Sequence, residues 1–512
     1  MKHFLRFLLK LTLVLAIAIL IARFVFSLPD ISDRADSLSI PSNPDTALGQ
    51  LMADTAEQRP GLSGVIPLQD GNDALASRLM LADVAEASID LQYYIWHDDT
   101  SGMLLMDALY RAAQRGVRVR MLLDDNGVPG LDPHMAALNA QPNFEIRLFN
   151  PSTIRTPKMA GYTFDFFRMN RRMHNKSFVV DGAAAIIGGR NVGDEYFQVG
   201  EDQFYVDMDA LATGAIIPET AKVFDAYWNS ASVFEVERII SGAGDLAGFM
   251  ARVENIKAGD AARAFIDKAQ SSAARYAEQA AAIEWTNVQL VADDPVKGQG
   301  IASRDQLMIS RLTDTLGGVE GRLDLVSAYF VPGRAGTDAL SALAQNGRDV
   351  RVLTNALNTT DVLLVHAGYI KYRRDLLAAG VELFELKLRG TAPQPQTPIG
   401  LSGASLHAKT LAVDGKRVFI GSFNFDPRSA MLNCEMGFLI NSPTLASQLH
   451  AGFDGPVDLV SYRPALTPEE KMIWQESLPE GDPVIYQEEP GATWFQQIAI
   501  VIIGLLPVEW ML

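Results

Sequence analysis

One pattern occurs twice in this chain, and it limits the possible folds more than any other feature. His174-Asn175-Lys176 leads into Ser177-Phe178-Val179-Val180-Asp181, and His407-Ala408-Lys409 leads into Thr410-Leu411-Ala412-Val413-Asp414. Both are H-x-K-x4-D. Each copy continues into a glycine pair or Gly-Ser and an asparagine: Gly188-Gly189-Arg190-Asn191 and Gly421-Ser422-Phe423-Asn424. Asn191 and Asn424 each stand 17 positions after their histidine. A single H-x-K-x4-D arises by chance in an alternating strand. Two five-point matches with the same internal spacing do not arise from packing alone, so one unit is used twice.

The repeat extends upstream. Asp90-Leu91-Gln92-Tyr93-Tyr94 resembles Asp324-Leu325-Val326-Ser327-Ala328-Tyr329, and Gly116-Val117-Arg118-Val119-Arg120 resembles Arg348-Asp349-Val350-Arg351-Val352. The copies lie about 233 residues apart. Helical spacing over Met103 to Gln114 and Gly336 to Gln345 falls between short apolar runs, so each unit reads strand, helix, strand. The expected fold is α/β: two pseudo-symmetric α/β/α sandwich lobes sharing one active site. Expected boundaries are an N-terminal segment at 1–28, a first lobe at 45–244, a helical connector at 245–282, a second lobe at 283–465 and an extension at 466–512. The connector is rich in Ala, Glu, Lys and Arg, which favours one or two helices. Residues 466 to 493, rich in Pro, Glu and Gly, suggest an extended wrap.

The repeated residues suit phosphodiester chemistry. His and Lys two apart on a strand share a face. The aspartate, seven positions after the histidine, falls on the opposite parity and is expected to close the following turn. Pseudo-twofold pairing of His174, Lys176 and Asn191 with His407, Lys409 and Asn424 gathers two imidazoles, two ammoniums and two amides. One neutral histidine attacks phosphorus while the other, protonated, serves the leaving oxygen. Lysine and asparagine stabilise the equatorial oxygens. No metal or other cofactor is then required. The single cysteine, Cys434, excludes an internal disulfide framework and a cysteine zinc cluster.

The paired motifs resemble the HKD motifs of the phospholipase D superfamily, from about residue 60 to 460. Tyr93-Tyr94-Ile95-Trp96-His97, Gly188-Gly189-Arg190-Asn191, Asp426-Pro427-Arg428-Ser429 and Asn433-Cys434-Glu435 are similar to bacterial cardiolipin synthases of the C-type branch. The resemblance implies a phosphohistidine on His174, with His407 as general acid and then base. It also implies an acidic residue from the opposite half for each histidine. By position these are Asp207 for His407, with Asp209 competing, and Glu435 for His174. The implied catalytic set is thus His174, Lys176, Asp181, Asn191, Asp207, His407, Lys409, Asp414, Asn424 and Glu435. The implied activity makes cardiolipin from phosphatidylglycerol and a second phospholipid. Alternatives are a hydrolytic phospholipase D, a nuclease of the same scaffold and a non-enzymatic membrane tether. The chain has one N-terminal span candidate where the better-known branch has two.

Charge and the chain ends bear on the partner. A net charge of −17 argues against nucleic acid, which needs a basic footprint. Lys2, Arg6 and Lys10 flank an uncharged run from Leu11 to Ala22. With Lys10 and Arg23 snorkelling, Phe4 to Phe26 reaches across a bilayer. No small-residue cleavage site follows, so an uncleaved anchor is expected, in a bacterial inner membrane. The basic flank puts the N-terminus in the cytoplasm and the catalytic body in the periplasm. At the other end Ile498 to Leu512, with Trp494, Trp510 and Pro507, suggests an interfacial segment. Arg155, Lys158, Arg168, Arg171, Arg172 and Lys176 interleave with Tyr162, Phe164, Phe166 and Phe167, which suits an anionic lipid surface. Arg171, Arg172, His97 and His366 are the candidate headgroup ligands. Whether a partner protein is needed stays open.

Overall fold

Each half contains three adjacent parallel strands. In the computed structural model, which describes residues 1–200, 204–271, 283–316, 318–360, 362–387, 405–504, 506 and 509–511, Ser88–Tyr93, Arg118–Asp124 and Phe144–Phe149 run parallel. Arg322–Ser327, Asp349–Asn355 and Glu382–Leu386 do the same in the second half. All six residues of Ser88–Tyr93 are buried, as expected of parallel strands covered on both faces. Antiparallel strands extend each trio in the same order. Ser177–Val180, Ala184–Gly188, Asp209–Gly214 and Ser63–Leu68 follow in one sheet. Lys409–Val413, Arg417–Gly421, Met436–Ile440 and Val288–Ala292 follow in the other. Among the described residues the sheets have nine and ten strands.

The sheets pack face to face. Val179, Ile187 and Ala210 of the first share one buried cluster with Val326, Ala412, Ile420 and Phe438 of the second. Helices cover the outer faces, with Thr100–Gln114 on the first and Gly333–Gln345 on the second. Both helices begin three residues before the apolar periodicity does. The Asp99 carboxylate caps the first by accepting the Gly102 N–H at 2.9 Å, a polar start that apolar spacing does not reveal. Glu284–Thr286 joins the first sheet and Val288–Ala292 the second, so one short stretch stitches the lobes together.

The motif aspartates close turns. Asp181 and Asp414 have φ of 51° and 55°, each followed by a glycine with φ of 59° or 64°. Asp181 accepts the backbone N–H groups of Glu86, Ala87 and Ser88, the last at 2.9 Å. Asp414 accepts those of Glu320, Gly321 and Arg322. Each carboxylate ties the turn after its own strand to the start of the neighbouring strand. Hydrogen bonds to a charged group contribute about 1.5–3 kcal/mol each.

Connector residues form helices Leu246–Lys257 and Asp260–Ser271, with 272–282 outside the described residues. Where an extended wrap was expected, Met472–Glu476 and Val484–Tyr486 pair onto the second sheet. Helix Lys2–Val25 is long and apolar enough to cross a membrane, and its large apolar side chains are exposed. The tail helix Trp494–Gly504 buries Ile500 against Leu357 and Ala367, while Trp494, Phe495 and Ile502 stay exposed. It is therefore partly a packed helix and partly an apolar outer face. Pro507 lies outside the described residues.

Candidate active site

Each motif histidine enters the site beside a short bridge between the lobes. Met173 pairs in parallel with Cys434, and the His174 N–H donates to the Cys434 carbonyl at 2.8 Å. Ser405–Leu406 pairs in parallel with Tyr205–Val206, and the His407 N–H donates to the Val206 carbonyl at 2.8 Å. The residue after each bridging partner is acidic. Glu435 follows Cys434, and its Oε2 lies 2.8 Å from His174 Nδ1. Asp207 follows Val206, and its Oδ2 lies 2.5 Å from His407 Nδ1. A carboxylate at Nδ1 fixes the proton there and leaves the lone pair on Nε2. The competing residue, Asp209, faces Arg78 at 2.9 Å instead.

The lysines face the same space. Lys176 donates to the His174 carbonyl at 2.7 Å, and Lys409 donates to that of His407. Lys409 Nζ also lies 2.9 Å from His407 Nδ1. Burial, then the charges of Lys176, Lys409 and His407, push the His174 pKa well below the ordinary imidazole value. Burial and Lys409 lower His407 too, but the Asp207 carboxylate opposes them. Burial alone would raise Asp207; the His407 ion pair, Lys409 and Arg190 outweigh it and hold Asp207 low. Glu435 goes the other way, pushed up by burial against the pull of Lys176 and Ser422. Burial also drives Lys176 well down, despite Glu435. Such a site suits an anion, which would restore the charge these buried cations lack.

Asn191 and Asn424 spend their oxygens on backbone, accepting from Ile95 N–H at 3.2 Å and Tyr329 N–H at 3.4 Å. Asp181 and Asp414 are not brought in; they hold turns at the far ends of the motif strands. Arg172 is 1% exposed and bonded through Nε and Nη2 to Asp124, so it braces the chain before His174 rather than meeting a headgroup. Arg171 donates to the Phe167 carbonyl and packs at Gly300. The basic segment is largely paired within the protein: Arg155 with Asp132 and Asp125, Lys158 with Asp125, Arg168 with Asp165. His366 is buried and bonded to Glu489 at 2.6 Å, which fixes the C-terminal extension to the second lobe. His97 is half-exposed, 3.2 Å from Glu195, whose neighbour Tyr196 meets the His407 ring edge-on at 5.1 Å. It stands one layer behind His407.

The family described as "Cardiolipin synthase, PLD-like domain" matches residues 80–228 and 312–456, one match over each motif. Cardiolipin synthase C of Escherichia coli (strain K12) is 42% identical over 463 residues, covering 89% of this chain and 97% of the relative. This chain belongs to the phospholipase D-like cardiolipin synthase family. A major cardiolipin synthase of Bacillus subtilis (strain 168) is 26% identical over 75% of this chain and 67% of its own. The crystal structure of a phosphatidylserine synthase from Haemophilus influenzae Rd KW20 has the same fold. Its TM-score is 0.55 at 13% identity, covering 90% of this chain and 100% of that one.

Within this cardiolipin synthase family member, several supporting groups escaped the sequence reading. Ser422 donates to Glu435 Oε2 at 2.5 Å, sharing that oxygen with His174. Its place in Gly-Ser-Phe-Asn, against Gly-Gly-Arg-Asn in the first copy, was the available signal. Asp293 accepts the Glu435 N–H at 2.8 Å and Lys297 Nζ at 2.7 Å. Nothing in its spacing marks it. Tyr94 meets His174 edge-on at 5.0 Å. Among the described residues, His97, Asp99 and Glu195 place three ligand-capable atoms within 4.8 Å of one another. Both Asp99 oxygens already accept backbone N–H groups, from Gly102 and Asp194. This cluster is an ion pair beside a helix cap.

Proposed function

We propose that the protein transfers a phosphatidyl group through His174 to make cardiolipin. The single observation that carries this reading is the pair of histidine–carboxylate contacts, each made across the lobes. His174 is kept neutral by burial among cations, as a nucleophile needs. His407 is supported as an imidazolium by an ionised Asp207, as a general acid needs. His174 Nε2 attacks the phosphorus of one phospholipid, and the N–P bond forms as the bond to the headgroup oxygen breaks. His407 gives its proton to that oxygen. A hydroxyl of phosphatidylglycerol then attacks phosphorus, His407 takes its proton, and the N–P bond breaks. The name and 42% identity of the Escherichia coli relative support cardiolipin as the product.

The N-terminal helix supports membrane attachment. Its basic flank supports a cytoplasmic N-terminus and a periplasmic catalytic body, which protease added to spheroplasts would then reach. To test the reaction, purified full-length protein is placed in liposomes containing phosphatidylglycerol and the lipids are analysed by mass spectrometry. Cardiolipin is expected with the intact protein and not with His174→Ala. Phosphatidic acid as the sole product would make the protein a hydrolase and sink the transferase reading.

A further inference from the structure

We propose that the second lobe holds an acyl chain of its phospholipid substrate in a cavity behind Lys409. The inference rests on the reading that a phospholipid is the substrate. The cavity, about 160 Å³, lies between the second sheet and the helices Met308–Leu316 and Gly333–Gln345. Leu312, Leu323, Leu340 and Phe423 line it, with Thr313, Lys409 and Thr410 its polar lining residues. A cavity of about 150 Å³ lined by Leu, Ile and Phe stays dry and takes benzene. This one therefore takes on the order of six carbons of an unbranched chain.

At equivalent positions the first lobe carries a buried polar network. Strand register equates Tyr93 with Ser327, because Ser177 faces Gln92 as Thr410 faces Val326. It equates Asp209 with Gly437, since each faces the glycine that ends the second motif strand, Gly188 or Gly421. The repeat itself equates Arg190 with Phe423, each directly before the motif asparagine. Arg78 and Leu312 each stand twelve residues before the strand aspartates Asp90 and Asp324. In the first lobe the Tyr93 hydroxyl accepts from Arg78 Nε at 2.8 Å, and Asp209 pairs with Arg78 at 2.9 Å and Arg190 at 3.5 Å. All four side chains are at most 1% exposed. In the second lobe Ser, Leu, Gly and Phe replace this network, and two of them, Leu312 and Phe423, line the cavity.

The space has a direction. At one end is the stem of Lys409, whose ammonium bonds to the His407 carbonyl, and half-buried Phe425 beside Asn424. At the other is exposed Thr313. An apolar chain lying here would be separated from a phosphate at His407 by little more than the lysine stem. Protein interiors rarely leave apolar space empty, and the lining has no set of polar groups to hold a polar guest. A lipid, with its phosphate among cations and its chain among Leu and Phe, matches both ends.

The test uses phosphatidylglycerol with a diazirine in the middle of one acyl chain, in vesicles with full-length protein. After irradiation, adducts are mapped by peptide mass spectrometry. Adducts on Leu312, Leu340 or Phe423 are expected, and they should vanish in Leu340→Trp. That variant should also lose about tenfold in turnover of long-chain lipid. Leu312→Phe is the second filler should Leu340→Trp melt early. Adducts confined to the N-terminal helix and Phe167, or fillers that leave long-chain turnover unchanged, would overturn the proposal. Cavity adducts on a protein that makes no cardiolipin would leave the cavity standing and defeat the transferase reading.

Discussion

His174 and His407 each rest on a carboxylate from the other lobe, yet the two pairs differ in reach, support and charge. Glu435 has the longer arm and is held by Ser422 at 2.5 Å. Asp207 has the shorter arm, and beside it stands Gly189, where a Cβ would lie 2.2 Å from its Oδ1. Burial pushes Glu435 up, while His407, Lys409 and Arg190 hold Asp207 down. A repeated unit delivers the same atoms twice. Two-step transfer needs them in different protonation states, and the divergence lies in the residues around the motif rather than in it.

The strongest way to break this comparison is to remove each histidine in turn and look for the covalent intermediate. Either alanine substitution should lower turnover by at least about 10³-fold, since the groups act as a unit. With lipid labelled in the phosphatidyl group, His174→Ala should trap no labelled protein. His407→Ala should still form a little, because the nucleophile remains and only proton transfer is lost. Label persisting in His174→Ala alone would reverse the roles.

Much of the site was legible because the motif carries its own geometry. His and Lys stand two apart where the chain enters each motif strand, Ser177–Val180 or Lys409–Val413, rather than within it, and Asp181 and Asp414 close the turns that follow, as expected. Glu435 and Asp207 were reachable through the resemblance, not through spacing, because they sit 261 and 200 residues from their partners. Arg172 and His366 looked like headgroup ligands because sequence shows a charge but not its partner. Asp124 and Glu489 claim them in the fold. The same blindness hid Asp293, whose role depends on a turn meeting the Glu435 backbone. The lobes themselves were visible in the repeat. The strands that extend the second sheet after Leu466 were not, since Pro- and Gly-rich stretches read as loop.

A smaller perturbation exchanges the residues beside the carboxylates. Gly189→Ser must displace Asp207 from His407, and a misplacement of about 1 Å costs on the order of 100-fold in kcat. Ser422→Gly removes one hydrogen bond to Glu435 and leaves the carboxyl near His174, so a loss of about tenfold is expected. Steady-state kinetics on both variants, with melting curves to confirm folding, would decide. Equal losses would mean that the two carboxylates are supported alike.

The finest test separates the carboxylates by charge alone, through pH profiles of kcat for Asp207→Asn and Glu435→Gln. The alkaline limb reports loss of the His407 proton, and the acid limb reports protonation of His174. Asp207 is ionised and raises His407 against burial and Lys409. Its neutralisation must lower His407 further, so the alkaline limb should move to lower pH. Glu435 is itself pushed up by burial, so less negative charge is lost in Glu435→Gln. The acid limb should also move down, but by less, because burial and the neighbouring lysines already hold His174 well below its ordinary value. The paired imidazoles share these limbs as a coupled system, so the decisive quantity is the difference between the two variants. A larger shift in Glu435→Gln than in Asp207→Asn would place the working imidazolium on His174 and exchange acid for nucleophile.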